Sequence, residues 1–100
     1  MSYAEVEMKV IQWAEARKII PNSNPKAQWV KAQEELNELY EALDANDIGA
    51  IRDAVGDTVV CLINLCALAD IDLVDCLQLA YNEIKDRKGH LNKDGIFVKE

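Results

Sequence analysis

The sequence predicts an all-α fold: four helices arranged as a bundle and completed by self-association. Three observations carry that expectation. Apolar residues recur at three- and four-residue spacing, and no run alternates in the manner of a β-strand. A residue that caps helices stands ahead of each such stretch. One stretch, Val55 to Leu68, is apolar on nearly every side, interrupted only by Asp57, Thr58 and Asn64.

The elements follow in order. Ser2 with Glu5 three residues on forms a capping box, opening a first helix to about Lys18. Val6, Val10, Trp13, Ala14 and the aliphatic stem of Arg17 make its apolar face. The segment Pro21-Asn22-Ser23-Asn24-Pro25 reads as a loop, with Asn24 as N-cap and Pro25 at the first helical position. A second helix runs to about Ala45, and Trp29, Ala32, Leu36, Leu39, Tyr40 and Leu43 form its expected core stripe. Asp47 caps a third helix through Ala69, and Asp72 a fourth that ends at Gly89. Residues 91–100 form a tail, with a turn at Asp94-Gly95 and a short extended Ile96-Phe97-Val98.

One hundred residues are a single domain, 1–100. Three companion helices cover the oily third helix only in part, so a homodimer or homotetramer is expected.

Composition excludes several classes. A net charge of −7 has the wrong sign for a protein that lives on nucleic-acid phosphates. The longest uncharged apolar run, Val59 to Ala69, is too short to span a bilayer, and the N-terminus does not read as a signal peptide. Cys61, Cys66 and Cys76 are odd in number and sit among aliphatic residues, where free cysteine packs as a small hydrophobe. His90 is the sole histidine, and no Gly-rich phosphate loop occurs. A cytoplasmic protein with no membrane and no nucleic-acid partner is the expectation.

The charge is uneven. Residues 32–75 hold eleven acids and one base, Arg52, between two mildly basic ends. On a helical wheel at about 100° per residue, Glu35 and Glu38 project side by side from one flank of the Leu36 stripe, with Lys31 between them. On the third helix Asp53, Asp57 and Asn64 form a polar line on an otherwise oily rod. Burying ionised carboxylates costs several kcal/mol each, so a divalent cation bridging the helices or a basic partner must compensate. Lys85, Arg87 and Lys88 close the fourth helix, where they complement its dipole or, beside a bound metal, suit a polyphosphate.

These residues reach a family. Lys31-x-x-Glu34-Glu35-x-x-Glu38, followed after fifteen residues by Ala54-x-Gly56-Asp57, resembles the MazG-like branch of the all-α nucleoside triphosphate pyrophosphohydrolases. Asn64, seven residues after that Asp, and Asn82 with Lys85, Arg87 and Lys88 continue the likeness, which spans about Trp13 to Gly89. The resemblance implies a house-cleaning hydrolase that uses Mg²⁺, with Mn²⁺ as an alternative, to convert an NTP or dNTP to the monophosphate and pyrophosphate. By position, Glu35, Glu38 and Asp57 match metal ligands, and Glu34 matches a residue that orients or deprotonates water. Lys31, Asn64, Asn82, Lys85, Arg87 and Lys88 match substrate-side positions. The family pattern places a Glu where this chain has Ala54, leaving Asp53 next door as a substitute ligand.

Trp13, Trp29 and Tyr81 are candidates to stack on a base. Trp29 lies in the stripe and reads as core, whereas Trp13 precedes a polar loop whose Asn22, Ser23 and Asn24, with Gln28, face base edges in this reading. Two rivals remain: the same fold acting on dUTP or phosphoribosyl-ATP, and a non-catalytic helical oligomer that binds a nucleotide or a protein.

Overall fold

The computed structural model describes residues 1–100. Its helices are α1 (Tyr3–Ala16), α2 (Ile19–Asn22), α3 (Pro25–Asp44), α4 (Ile48–Leu68) and α5 (Leu73–Ile84), followed by strands β1 (Gly89–Leu91) and β2 (Phe97–Lys99). The caps act as the sequence predicts. Ser2 accepts from the Glu5 amide, Asn24 from Ala27, Asp47 from Ala50 and Asp72 from Val74. Each satisfies a backbone N–H that the first turn leaves without a helical partner.

Two segments differ from expectation. The first helix stops at Ala16, and Lys18 turns left-handed at φ 67°, so Ile19–Asn22 starts a separate short helix inside the presumed loop. The Asn22 side-chain amide donates to the Lys18 carbonyl and holds that turn. The last helix ends at Ile84, with Lys85 as its C-cap, and Gly89 enters β1 instead of terminating the helix.

The tail is an antiparallel hairpin pairing Gly89 with Lys99, His90 with Val98 and Leu91 with Phe97. A Cβ at position 89 would collide with the Val98 carbonyl oxygen, which accounts for glycine there. The hairpin loop is closed by the Asn92 side chain, which accepts from the amides of Asp94 and Ile96, and by Gly95 at φ 78°.

Helix α4 is the hub. It packs along α3 and meets α1, α2 and α5, while α3 touches no other element and α5 touches α4 alone. A single chain therefore does not close a four-helix bundle. Only nine residues are buried, and Ala14, Ala32, Ala42, Ala54, Cys61 and Cys66 among them are small; Ile63 is the one large aliphatic. Small residues at the crossings let the backbones approach closely, but they bury little apolar area. Cys61 and Cys66 are buried free thiols, as their aliphatic setting predicts, and Cys76 is half-buried.

The expected core stripe of α3 is displaced by about a quarter turn. The residues facing α4 are Ala32, Glu35, Leu39 and Ala42, whereas Trp29, Leu36, Tyr40 and Leu43 are exposed. Both rows have helical spacing, so periodicity alone does not rank them. Val74, Leu77, Leu79, Tyr81 and Ile84 of α5 and Leu91 and Phe97 of the hairpin are exposed as well. The accessible surface is 7708 Å². A compact monomer of this mass exposes roughly 5,700 Å². The radius of gyration is 15.9 Å, against about 13 Å for a compact domain of this length. No helix is long and apolar enough to cross a membrane.

Candidate functional site

Lys31, Glu35, Asp57 and Asn64, singled out on the second and third expected helices, meet where α3 lies along α4. Glu35 belongs to the row that faces α4 and is 6% exposed, so it stands in the seam itself and not on its flank. Its Oε2 is buried with no hydrogen-bond partner. Its Oε1 lies 3.6 Å from Lys31 Nζ, which also donates to Glu34 Oε2 at 3.2 Å. Burial, and then the neighbouring Glu38 carboxylate, push the Glu35 carboxyl above the usual range, and Lys31 opposes both. The two acids lie one turn apart on a single helix, so they share one patch of space.

Across the seam, α4 presents Asp57, Cys61 and Asn64 toward the same cleft. Burial raises the Asp57 carboxyl, as do Asp53 and Glu35, while Lys31 lowers it. Asn64 is 3% exposed, and its Oδ1 also lacks a partner. A buried, unpaired carbonyl or carboxylate oxygen costs about 1–3 kcal/mol, so two in one cleft are a standing invitation to a cation or a donor. Lys31, held between Glu34 and Glu35, has its ammonium pKa raised by the Glu34 contact and then by Glu35.

The cleft has a volume of about 310 Å³, and its lining mixes the charged Lys31, Glu35 and Asp57 with the aromatic, apolar and amide-bearing Trp13, Ile19, Gln28 and Val60. Trp13 reaches it from α1 and Ile19 from the short α2, which explains the use of that extra turn. Gln28 donates through Nε2 to Ser23 Oγ at 3.1 Å.

Not every residue singled out in the sequence arrives. Glu34 has a side chain 59% exposed and lies against Lys31, outside the cleft lining. Glu38 is exposed beside Glu35. Asp53 is exposed and lines a neighbouring groove between α1 and α4 with Tyr3, Glu7 and Arg52. Ala54, where the family pattern has Glu, is buried. Asn82, Lys85, Arg87 and Lys88 are exposed on the end of α5 and the linker after it, and none lines the cleft. Asn82 instead accepts from Gln78 Nε2 at 3.0 Å. Trp29 and Tyr81 do not reach the cleft either, and Trp29, expected in the core, is 57% exposed.

The sequence reading missed Ile19, Val60 and Cys61 as lining residues. Gln28 was legible on spacing, since it precedes Glu35 by seven residues and so shares its face.

No three acidic, His or Cys side chains close on a single point as a ready-made metal centre. The unpartnered groups nevertheless suit a hard cation: a carboxylate oxygen, Glu35 Oε2, and an amide oxygen, Asn64 Oδ1, beside the Asp57 carboxylate. Glu35, Glu38 and Asp57 are the groups that would hold it, with Asp53 one turn from Asp57.

The chain matches no protein-family profile, and no solved structure matches it. Over 63 residues it is 36% identical to an uncharacterised 18.2 kDa protein from the rep-hol intergenic region of Haemophilus phage HP1 (strain HP1c1). That alignment covers 63% of this chain and 39% of the phage protein, so the similarity spans well under half of that relative.

Proposed function

We propose that the chain is a Mg²⁺-dependent nucleoside triphosphate pyrophosphohydrolase that releases a nucleoside monophosphate and pyrophosphate. The observation that carries the reading is Glu35: a buried carboxylate with an unpartnered oxygen, facing Asp57 across the α3–α4 seam. A protein keeps such a group when something else satisfies it. The remaining ordering, Lys31-x-x-Glu34-Glu35-x-x-Glu38 with Gly56-Asp57, is that of the MazG-like pattern.

Mg²⁺, when bound, supplies charge neutralisation and polarisation at the phosphate oxygens. The chain's own residues do the rest. Glu35, Glu38 and Asp57 would hold the ion and, through it, fix the triphosphate relative to the seam. In this reading Glu34, which accepts from Lys31 and lies outside the cleft lining, turns in with the substrate to take the proton from the attacking water. The water oxygen bonds to phosphorus as the α–β bridging bond breaks, and pyrophosphate leaves with the bonding pair. Lys31 stays beside the acids and offsets charge that gathers on the phosphate.

Self-association belongs to this reading. Second copies, as a homodimer or homotetramer, would cover the exposed faces of α3 and α5. They would also carry Asn82, Lys85, Arg87 and Lys88 toward a neighbour's cleft, because within one chain these residues lie away from it. The setting is cytoplasmic nucleotide-pool house-cleaning. One observation favours the non-catalytic alternative, a nucleotide-binding oligomer: Ala54 offers no ligand where the family pattern has Glu.

The test is a panel of all canonical NTPs and dNTPs with Mg²⁺ and with chelator, resolving monophosphate from diphosphate. Monophosphate plus pyrophosphate, lost with chelator, is expected. Diphosphate plus orthophosphate, or no turnover of any nucleotide, rejects the reading.

A further inference from the structure

The seam acids already have a cation of their own. Lys31 Nζ lies 3.2 Å from Glu34 Oε2 and 3.6 Å from Glu35 Oε1, and both of the chain's ion pairs use this one ammonium. Its charge reaches further, lowering the carboxyls of Glu35 and Asp57 against the burial that raises them. The two contacts are unequal. Glu34 is largely exposed, where solvent screens most of the attraction. The Glu35 side chain is 9% exposed, so the pull between it and the ammonium is screened much less. Lys31 itself is 56% exposed. It reaches in from the rim on a stem that lies mostly in water, and it can leave without disturbing the packing. Glu35 Oε2 stays without a partner beside it, so one ammonium does not satisfy that carboxylate.

We propose that Lys31 is a built-in competitor for the cation site: its ammonium holds Glu35 in the metal-free chain and has to leave it when a divalent cation binds. The proposal rests on the cation reading above and names how that site is regulated. A carboxylate flanked by an ammonium is a poorer ligand for a second positive charge, because the two cations repel across a partly desolvated space. A hard divalent ion carries twice the charge and draws on oxygens from several groups, so it displaces the ammonium once its concentration is high enough. Metal alone is therefore held weakly. The displaced ammonium stays at the rim of the cleft, where an anionic group can pair with it. Such an anion relieves the repulsion and tightens the metal, and by reciprocity the metal tightens the anion. One side chain thus couples the two ligands. Lys9 provides the contrast: it lines the adjoining pocket with Asp57 but makes no ion pair, so it adds to the general field without occupying Glu35.

The experiment titrates the full chain with Mn²⁺ alone, without nucleotide, at about pH 8, where protons compete less for the carboxylates. Free Mn²⁺ is counted by electron paramagnetic resonance. Lys31→Met should bind at least about tenfold more tightly than the parent, and Lys31→Gln should do the same. Lys9→Met removes an equal charge near Asp57 and should shift the affinity by less than about twofold. A second readout labels the parent with acetic anhydride, with and without Mg²⁺, and locates the acetylated lysines by mass spectrometry. Mg²⁺ should raise labelling of Lys31 about threefold or more relative to Lys9 and Lys26, because an ammonium released from carboxylates gives up its proton more readily. Equal or weaker Mn²⁺ binding in Lys31→Met, an equal gain in Lys9→Met, or Lys31 labelling indifferent to Mg²⁺ overturns the proposal and leaves the cation site in place. If neither the parent nor any variant binds Mn²⁺, the proposal fails together with the cation reading beneath it.

Discussion

The α3–α4 pair and the α5–hairpin arm are both amphipathic, yet only the first buries part of its apolar face within the chain. Along α3–α4, small residues let two long helices close on each other, and Ala32, Ala42, Ala54 and Cys61 disappear from solvent. The arm contacts the body only through α4, and Val74, Leu77, Tyr81 and Ile84 remain exposed along one side of α5. The first region sets a buried acid, Glu35, and a half-buried one, Asp57, in its seam. The second keeps its bases, Lys85, Arg87 and Lys88, away from them. Charge and counter-charge are thus separated within one chain. The accessible surface in excess of a compact monomer is of the order that a stable partner covers, at roughly 800 Å² per side for an ordinary interface.

The strongest way to break this contrast is to disable the acidic region without unfolding it. Asp57→Asn and Glu38→Gln should each reduce turnover by about 100-fold or more, since each neutralises one of the few carboxylates that would hold the cation. The helical circular-dichroism spectrum and the sedimentation coefficient should not change. Parental rates in both variants would remove the site assignment.

The next effect tests whether the arm serves a neighbour. A triple Lys85→Ala, Arg87→Ala, Lys88→Ala variant should lose about tenfold or more in kcat/KM. Mixed and reassembled with the inactive Asp57→Asn protein, it should regain a measurable fraction of activity, because some sites then combine intact acids with an intact arm. Leu77→Asp with Ile84→Asp should instead shift the protein to smaller species in sedimentation, by charging the exposed face of α5. If the mixture stays as inactive as its components, the bases act within their own chain or not at all.

A smaller effect concerns stability and carries the opposite sign to activity. Burial and Glu38 raise the folded-state pKa of Glu35, so the folded protein holds that proton to higher pH than the unfolded chain does. The resulting stabilisation is fully present below the ordinary carboxylate range and is lost as pH rises through the raised value. Glu35→Gln keeps the neutral form at every pH. In metal-free protein it should be stabilising by about 1–2 kcal/mol at neutral pH, a few degrees in Tm, and close to neutral in effect below about pH 4. A destabilised variant at neutral pH would mean that the carboxylate is satisfied in the native protein by a group other than the proposed cation.

Much of this was legible in the residues, and the failures share a cause. Ser2, Asn24, Asp47 and Asp72 announce their helices because capping is local chemistry, decided within three residues. Asp57 and Asn64 could be placed together for the same reason, since one helix fixes their spacing. What spacing could not decide was which of two apolar rows on α3 meets α4. Trp29, Leu36, Tyr40 and Leu43 are the bulkier row, yet the smaller Ala32 and Ala42 permit the closer approach. Glu35 moved from flank to seam with that choice. The Asp94-Gly95 turn and the extended segment after it were legible, but the partner strand β1 was hidden because it is three residues long and Gly89 fits a helix end as readily as a close cross-strand approach.

Asp53→Asn has the smallest expected effect and separates two accounts of Ala54. Asp53 lies one turn from Asp57, is exposed and lines the adjoining α1–α4 groove. Its charge raises the Asp57 carboxyl, so it stands close enough to help hold a cation. If it substitutes for the ligand missing at position 54, neutralising it should weaken the Mg²⁺ half-saturation of turnover about threefold to tenfold, with little change in kcat at saturating metal. A carboxylate in water contributes less than a buried one because solvent screens it, which is why the loss should fall well short of that in Asp57→Asn. If the metal dependence is unaltered, Glu35, Glu38 and Asp57 suffice, and Asp53 belongs to the neighbouring groove alone.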